Sequence, residues 1–199
     1  LTFNEVMQDI SIKDTEILDN MKNAKEALES DKLTLESQRS DPAAETFPII
    51  SILTPLYNTP QNFLTEFLDS VENQTAHNWQ LCLADASDDA HTYVGELVQK
   101  HVAANPRIRY VKIENKGIAA NTNAAARLAQ GEYLALADHD DILAPHAIYC
   151  MGKELQKTGA DFAYSDEALF RKSPKTAHVA HFKPDLSLIH ISEPTRQAE

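Results

Sequence analysis

The sequence is poor in glycine and in positive charge, and both shortages restrict its possible functions. Only five glycines occur in 199 residues, and the chain contains neither the G-x-G-x-x-G turn of dinucleotide-binding folds nor the G-x-x-x-x-G-K-[ST] phosphate loop. Lysine and arginine total 18 against 30 acidic residues, and the net charge of −12 argues against a general nucleic-acid-binding surface. An anionic ligand would therefore need one local site, for which a bound metal ion is a suitable partner.

Cysteine and long apolar runs are scarce as well. Cys82 and Cys150 each lie among apolar residues, which favours two buried, reduced thiols over a disulfide. The chain has no zinc-type cysteine and histidine spacing and no G-x-S-x-G elbow. No apolar run approaches the ~20 residues of a membrane helix, and LTFNEVMQDI at the start contains no signal core. We therefore expect a cytoplasmic protein, or a cytoplasmic piece of a larger one, with no transmembrane segment in this chain.

The first 45 residues form an acidic segment that differs from the rest of the chain. Apolar residues recur there at intervals of seven in two rows, which are Ile10, Ile17 and Ala24, and Met21, Leu28 and Leu35. This spacing predicts an amphipathic helix with a heptad-like seam, although acidic residues interrupt both rows. We expect residues 1–45 to be this helical segment and a linker, and the linker pattern is SDPAAETFP at residues 40–48. The helical segment either docks on the following domain or associates with a partner.

Strand and helix patterns alternate after residue 46. Apolar, β-branched runs at 49–57, 79–85, 108–113, 132–138 and 161–166 predict five strands, and amphipathic stretches between them predict helices. Such alternation is typical of an α/β fold with a mostly parallel sheet and helices on both faces. Ligands of open sheets of this kind bind at the carboxyl ends of the strands.

The densest polar cluster follows the fourth predicted strand, at residues 138–141 (DHDD). If this segment is extended, Asp138 and Asp140 project to the same side and present two carboxylates to one hard cation. Such a cation, Mg²⁺ or Mn²⁺, would bridge the chain to a diphosphate. The alternative is capping of the helix that follows, and this alternative has most weight for Asp141.

Several ordered motifs resemble family 2 glycosyltransferases, whose catalytic domains have the Rossmann-like GT-A fold. They are ISILTPLYNTP, LDSVENQTAHNWQLCLADASDD, ENKGIAANTNAAARLAQGEYLALADHDDILAPHAIY, ADFAYSDE and HFKPDLS. The last two are similar to segments of the bacterial cell-surface polysaccharide branch, which includes rhamnosyltransferase-like members. The resemblance runs from about Ile49 to Ser187, and we expect residues 46–187 to be an incomplete donor-binding domain.

The resemblance also implies roles for individual residues. Pro55 and Tyr57 would flank the nucleotide, and Asp85 would accept a hydrogen bond from a uracil or thymine imide. Gly117 and Asn123 would lie against the nucleotide sugar.

In the same way, the resemblance makes Asp138 and Asp140 the metal motif, with Asp138 also near the nucleotide sugar. The implied cofactor is Mn²⁺ or Mg²⁺. The implied reaction is transfer of a sugar, with inversion, from a UDP- or dTDP-sugar to a saccharide or lipid-linked saccharide acceptor. An enzyme of this kind would work in the cytoplasm or at the inner face of the membrane.

The last residues no longer resemble the family. Residues 188–199, in the stretch LIHISEPTRQAE, are similar to translated adapter sequence, and we expect them to be a non-native tail. We also expect the catalytic base to be missing from this chain. Two alternatives remain open, an inactive or structural fragment and a sugar nucleotidyltransferase. The second is disfavoured because no glycine-rich, basic loop follows the first strand.

Overall fold

The computed structural model describes residues 32–165, 167–169 and 179–181. The described residues up to Gly159 belong to one compact unit, and those from Ala160 belong to a second. The strands of the first unit are β1 (Ile50–Leu56), β2 (Trp79–Asp85), β3 (Ile108–Lys112) and β4 (Tyr133–Leu136). Its helices are α1 (residues 32–39), α2 (Gln61–Glu72), α3 (Tyr93–Ala104), α4 (Ile118–Ala126) and α5 (Ala147–Thr158).

The four strands form one parallel sheet in the order β3-β2-β1-β4. All seven residues of β2 are buried, as expected for a central strand with helices on both faces. The predicted parallel α/β architecture is therefore confirmed. The fifth predicted strand is wrong as placed, because residues 161–165 are not extended into a strand. In the second unit, β5 (Glu167–Leu169) instead pairs antiparallel with β6 (Val179–His181).

Pro55 occupies a position in β1 that would usually exclude proline. Leu53 accepts a backbone hydrogen bond from Ala137, so the odd-numbered residues of β1 direct their backbone groups toward β4. The pairing of β1 with β4 ends at Leu53 and Leu136, two residues before Pro55. The missing N–H of Pro55 therefore breaks no strand pairing, and β1 continues beyond its neighbour.

The two faces of the sheet are covered unequally. On one face, Ala125 of α4 packs with Leu53, Cys82 and Ala84. Leu136 pairs with Leu53 and so lies on this same face, yet it is 77% exposed, and Leu134 is 58% exposed. Within the described residues of the first unit, the α4 side of β4 is therefore left largely exposed.

Residues 40–48, expected to be a linker, are packed on the domain. Asp41 caps a 3-10 helix at Pro42–Thr46, and its carboxylate also accepts a hydrogen bond from Tyr149 on α5. Hydrogen bonds from Tyr149 and from the backbone of Ala43 lower the pKa of Asp41. Phe47 is buried edge-to-face against Tyr149, and its ring fills the space above Gly152. The segment is therefore part of the folded unit.

Three further expectations have different outcomes. Cys82 is buried and Cys150 is exposed, so the prediction of a buried thiol is wrong for Cys150, while both are free thiols as predicted. Within the described part of the chain, no helix is both long enough and apolar enough to cross a membrane. Residues 1–31, with most of the heptad-like seam, and the tail at 188–199 lie outside the described residues.

Candidate functional site

The predicted site residues follow the carboxyl ends of four parallel strands. Since the strands are parallel, these ends lie along one edge of the sheet, here called the carboxyl edge and formed by residues 55–58, 85–88, 112–117 and 137–141. Along this edge the structure places Gly117 after β3, Asp85 at the end of β2, Pro55 near the end of β1, Tyr57 directly after β1, and Asp138 after β4. This one edge of the sheet therefore carries residues that are up to 83 positions apart in the sequence.

Exposure differs among these residues. Tyr57, Gly117, Asn123 and Asp138 are exposed, and Pro55 is partly buried. Asp140 is exposed, and Asn123 lies in the second turn of α4 rather than on the edge itself. The exposed residues among these are accessible to a ligand.

Asp85, by contrast, is 0% exposed and saturated by its neighbours. Its Oδ1 accepts from the backbone N–H of Ser87 at 2.8 Å, and its Oδ2 accepts from Tyr110 Oη at 2.9 Å and Lys112 Nζ at 3.0 Å. The ammonium of Lys112 also donates to the Ser87 carbonyl at 2.7 Å. Burial of Tyr110, with its hydrogen bond to Asp85, raises the pKa of the phenol. These four residues form a fixed polar network at the end of β2.

Sequence reasoning missed Tyr110 and Lys112, although the signal was present. In a strand, residues two apart share a face, so Tyr110 and Lys112 of the IRYVK run had to lie on one side of β3. The register pairs Lys112 with Asp85, which puts the two charges side by side.

The loops after β1 and β2 are joined by Asn58 and Asp88. Asn58 donates through Nδ2 to Asp88 Oδ2 at 2.9 Å and accepts from the Asp88 N–H at 3.1 Å, while its own N–H donates to Ser87 Oγ at 2.9 Å. Asn58 has φ of 51°, a left-handed conformation that asparagine tolerates. Hydrogen bonds from His91 and Asn58 lower the pKa of Asp88. The Asp88 carboxylate is thus engaged in holding the loops.

Asn115 and Asn121 determine the shape of the loop between β3 and α4. Asn115 Oδ1 accepts from the N–H of Gly117 at 3.0 Å and from Asn121 Nδ2 at 3.1 Å, and Asn121 Oδ1 accepts from the N–H of Lys116 at 3.2 Å. Gly117 has φ of 87°, which a side chain would strain, and no side chain caps α4. The N-terminal turn of α4 is consequently open at the carboxyl edge.

The DHDD segment forms a turn, not the extended stretch we expected. The N–H of Asp141 donates to the Asp138 carbonyl at 3.3 Å. The argument that alternation places Asp138 and Asp140 on one side is therefore wrong for this segment. Among the described residues, no group of three or more acidic, histidine or cysteine side chains is arranged to hold a metal. Mg²⁺ binds proteins through one or two carboxylates and takes further oxygens from phosphate and water, so a cation at Asp138 or Asp140 would not require a third side-chain ligand.

Gln74 fixes the chain just beyond this turn, and sequence reasoning gave it no role. Its buried amide donates to the carbonyls of Ser70 at 3.0 Å and Ala144 at 2.8 Å and accepts from the N–H of Ile148 at 2.9 Å. Ile148 is the second residue of α5, so Gln74 caps that helix from 74 residues away. The only sequence signal was the glutamine of the quoted SVENQ motif.

Comparison with known proteins identifies the class of protein that this fold and edge define. Residues 51–186 match the family described as glycosyl transferase family 2, and the chain belongs to that family. It is 38% identical over 141 residues to uncharacterized protein y4gI of Sinorhizobium fredii, covering 69% of this chain and 15% of that protein. It is 34% identical over 110 residues to chondroitin synthase of Escherichia coli, covering 55% of this chain and 16% of the synthase. The chain thus spans only a small part of these relatives.

Solved structures agree on the fold. TarS 1–349 of S. aureus, in complex with UDP-GlcNAc, has a TM-score of 0.51 and 20% sequence identity, over 57% of this chain and 32% of that chain. At this identity the similarity shows a shared GT-A-like fold, with a parallel sheet flanked by helices.

Proposed function

We propose that the chain carries the donor half of an inverting glycosyltransferase that takes its sugar from UDP- or dTDP-sugar. The observation that carries the proposal is the convergence of Pro55, Tyr57, Gly117, Asp138 and Asp140 on one open edge of a parallel sheet. Family membership makes glycosyl transfer the reaction class, and the UDP-GlcNAc complex of TarS supports a nucleotide-sugar donor. The acceptor in this proposal is a saccharide or lipid-linked saccharide of a cell-surface polysaccharide, used at the cytoplasmic side of the membrane.

Under this proposal, each region of the carboxyl edge has its own role in donor binding. Exposed Tyr57 and the Pro55 segment border the nucleotide, the network at Asp85 lies at the base end, and the open turn at Gly117 leaves backbone N–H groups for oxygens of the donor. Asp138 and Asp140 would hold Mg²⁺ or Mn²⁺. When bound there, the ion supplies positive charge to the leaving diphosphate.

Calorimetric titration with UDP and dTDP in the presence and absence of Mn²⁺ tests this proposal. We expect metal-dependent binding that is lost in the double variant Asp138→Ala and Asp140→Ala. The control is the double variant Glu66→Ala and Asp69→Ala, which removes two exposed carboxylates from α2. It should bind the nucleotides as the parent chain does. Binding that is unchanged in the first double variant, or absent from the parent chain, would contradict the donor site.

A second candidate is a chain that folds but binds no donor. One observation favours it, the uncovered apolar side chains of Leu134 and Leu136 on β4. This candidate predicts no nucleotide heat in the titration and self-association in sedimentation that Leu136→Lys relieves. Metal-dependent binding by a monomer would exclude it.

A further inference from the structure

We infer that Lys112 recognises the base of the donor nucleotide, with Asp85 as the positioning residue that holds it; this inference rests on the proposed donor site. Asp85 is 0% exposed and its carboxylate already accepts three hydrogen bonds. The Lys112 side chain is 49% exposed. A ligand at the end of β2 therefore meets the ammonium of Lys112 before it can meet the carboxylate of Asp85.

The donor count of Lys112 leaves one hydrogen bond for a ligand. An ammonium group has three N–H donors and no acceptor. Two of them go to Asp85 Oδ2 at 3.0 Å and to the Ser87 carbonyl at 2.7 Å, and within the described residues the third has no recorded partner. Because both acceptors lie on the β2 end, they restrain an otherwise flexible side chain. The remaining N–H selects for a hydrogen-bond acceptor.

The sheet order indicates that this acceptor belongs to the base and not to the diphosphate. Lys112 ends β3 at one side of the sheet, and Asp138 and Asp140 follow β4 at the other. Three strand spacings, roughly 14 Å, separate these two strands. If the diphosphate binds at Asp138 and Asp140, the base of a nucleotide that extends along the carboxyl edge lies toward β3.

The hydrogen-bonding groups of the bases then predict which nucleotide Lys112 prefers. Thymine presents a carbonyl oxygen at its 4-position, as uracil does, and cytosine presents an amino group there. An ammonium can donate to the oxygen but cannot pair with the amino group. Cytosine shares the 2-carbonyl with uracil, so the two bases differ for an N–H donor at position 4. With its free N–H directed at the 4-oxygen, Lys112 selects a uracil or thymine nucleotide over a cytosine nucleotide, which deepens the donor assignment to a mechanism of base selection.

The test compares UDP and CDP binding, each with Mn²⁺, in the parent, Lys112→Met, Lys112→Arg and a control, Lys100→Met. Lys100 is an exposed residue in the second half of α3, which runs away from the carboxyl edge. We expect Lys112→Met to weaken UDP binding about tenfold or more with little effect on CDP, since a hydrogen bond to a charged group is lost. Lys112→Arg should keep most of the preference, and Lys100→Met all of it.

A second measurement needs no substitution and so does not depend on the folding of a variant. UDP whose 4-oxygen is replaced by sulfur, a weaker acceptor, should bind the parent less tightly than UDP does. Equal binding of the two nucleotides overturns the inference, as does an equal loss of UDP and CDP in Lys112→Met, which would indicate a contact to a group that both nucleotides share, such as the phosphate, the ribose or the 2-carbonyl. A parent chain that binds no nucleotide overturns the donor site and this inference together, whereas metal-dependent UDP binding that Lys112→Met leaves unchanged overturns this inference alone.

Discussion

The hydroxyl of Tyr110 lies 2.8 Å from the point that a Cβ atom on Gly95 would occupy. Gly95 is the third residue of α3, and the missing side chain leaves room for the phenol to reach Asp85, 2.9 Å away. A helix position that would ordinarily favour alanine is thus glycine because a buried hydrogen bond passes over it.

This relationship predicts a coupling between positions 95 and 110. In the parent chain Gly95→Ala should displace the phenol from Asp85, which cancels or reverses the gain in helix propensity. In a Tyr110→Phe background the obstructing oxygen is absent, and Gly95→Ala should stabilise by up to ~1 kcal/mol. Urea denaturation of the four proteins measures the coupling, and equal effects of Gly95→Ala in both backgrounds would show that the predicted clash is absent.

The raised pKa of Tyr110 predicts how stability falls at alkaline pH. Burial, the hydrogen bond to Asp85 and the charge of Asp85 raise this pKa above the ordinary 10.0. The folded state then holds the phenolic proton more tightly than the unfolded state, so the stabilisation is complete below about pH 10 and is lost as pH rises above it. We expect the free energy of unfolding to fall more steeply above that pH in the parent than in Tyr110→Phe. Parallel curves would contradict the assignment.

Gln74 should contribute far more to stability than a surface glutamine with similar partners. Gln74→Leu leaves the buried Ile148 N–H without its partner and removes one of two hydrogen bonds to the Ala144 carbonyl, and we expect a loss of about 1–3 kcal/mol. Gln156 donates to Thr46 at the surface, where water can replace it, so Gln156→Leu should change stability by less than about 0.5 kcal/mol. Thermal and urea unfolding of both variants measures the change in the free energy of unfolding. Equal changes in the two variants would contradict the structural role of Gln74.

Gly131 and Gly159 should respond differently to asparagine because they are glycine for different reasons. A Cβ on Gly131 would collide with the backbone carbonyl of Ile49, so both Ala and Asn should cost about 1–3 kcal/mol. Gly159 ends α5 with φ of 63° and open space around it. Gly159→Ala should cost roughly 1–2 kcal/mol, and Gly159→Asn should recover part of that loss. A Gly131→Asn variant as stable as the parent would disprove the close approach.

Much of the fold could be predicted because its signals are local. Strand and helix periodicities and the order of the polar clusters predicted a parallel α/β sheet with a candidate site at its carboxyl edge. The fifth strand failed because a short apolar run specifies no pairing partner, and β5 formed later in the chain with an antiparallel neighbour. The residues at 40–48 looked like a linker because their one large apolar side chain, Phe47, gives no periodicity.

The candidate site likewise has features that local sequence predicts and features that depend on tertiary contacts. The sequence by itself determined which chemical groups are available at the carboxyl edge, since Asp138, Asp140 and the residues after each strand are identified by motif and by position. Only the tertiary structure decided which of them are accessible. Asp85 was expected to meet the base, yet the register of β2 with β3 buries it under Tyr110 and Lys112 and leaves the lysine exposed. Burial and pairing depend on contacts across the sheet, and no local pattern contains that information.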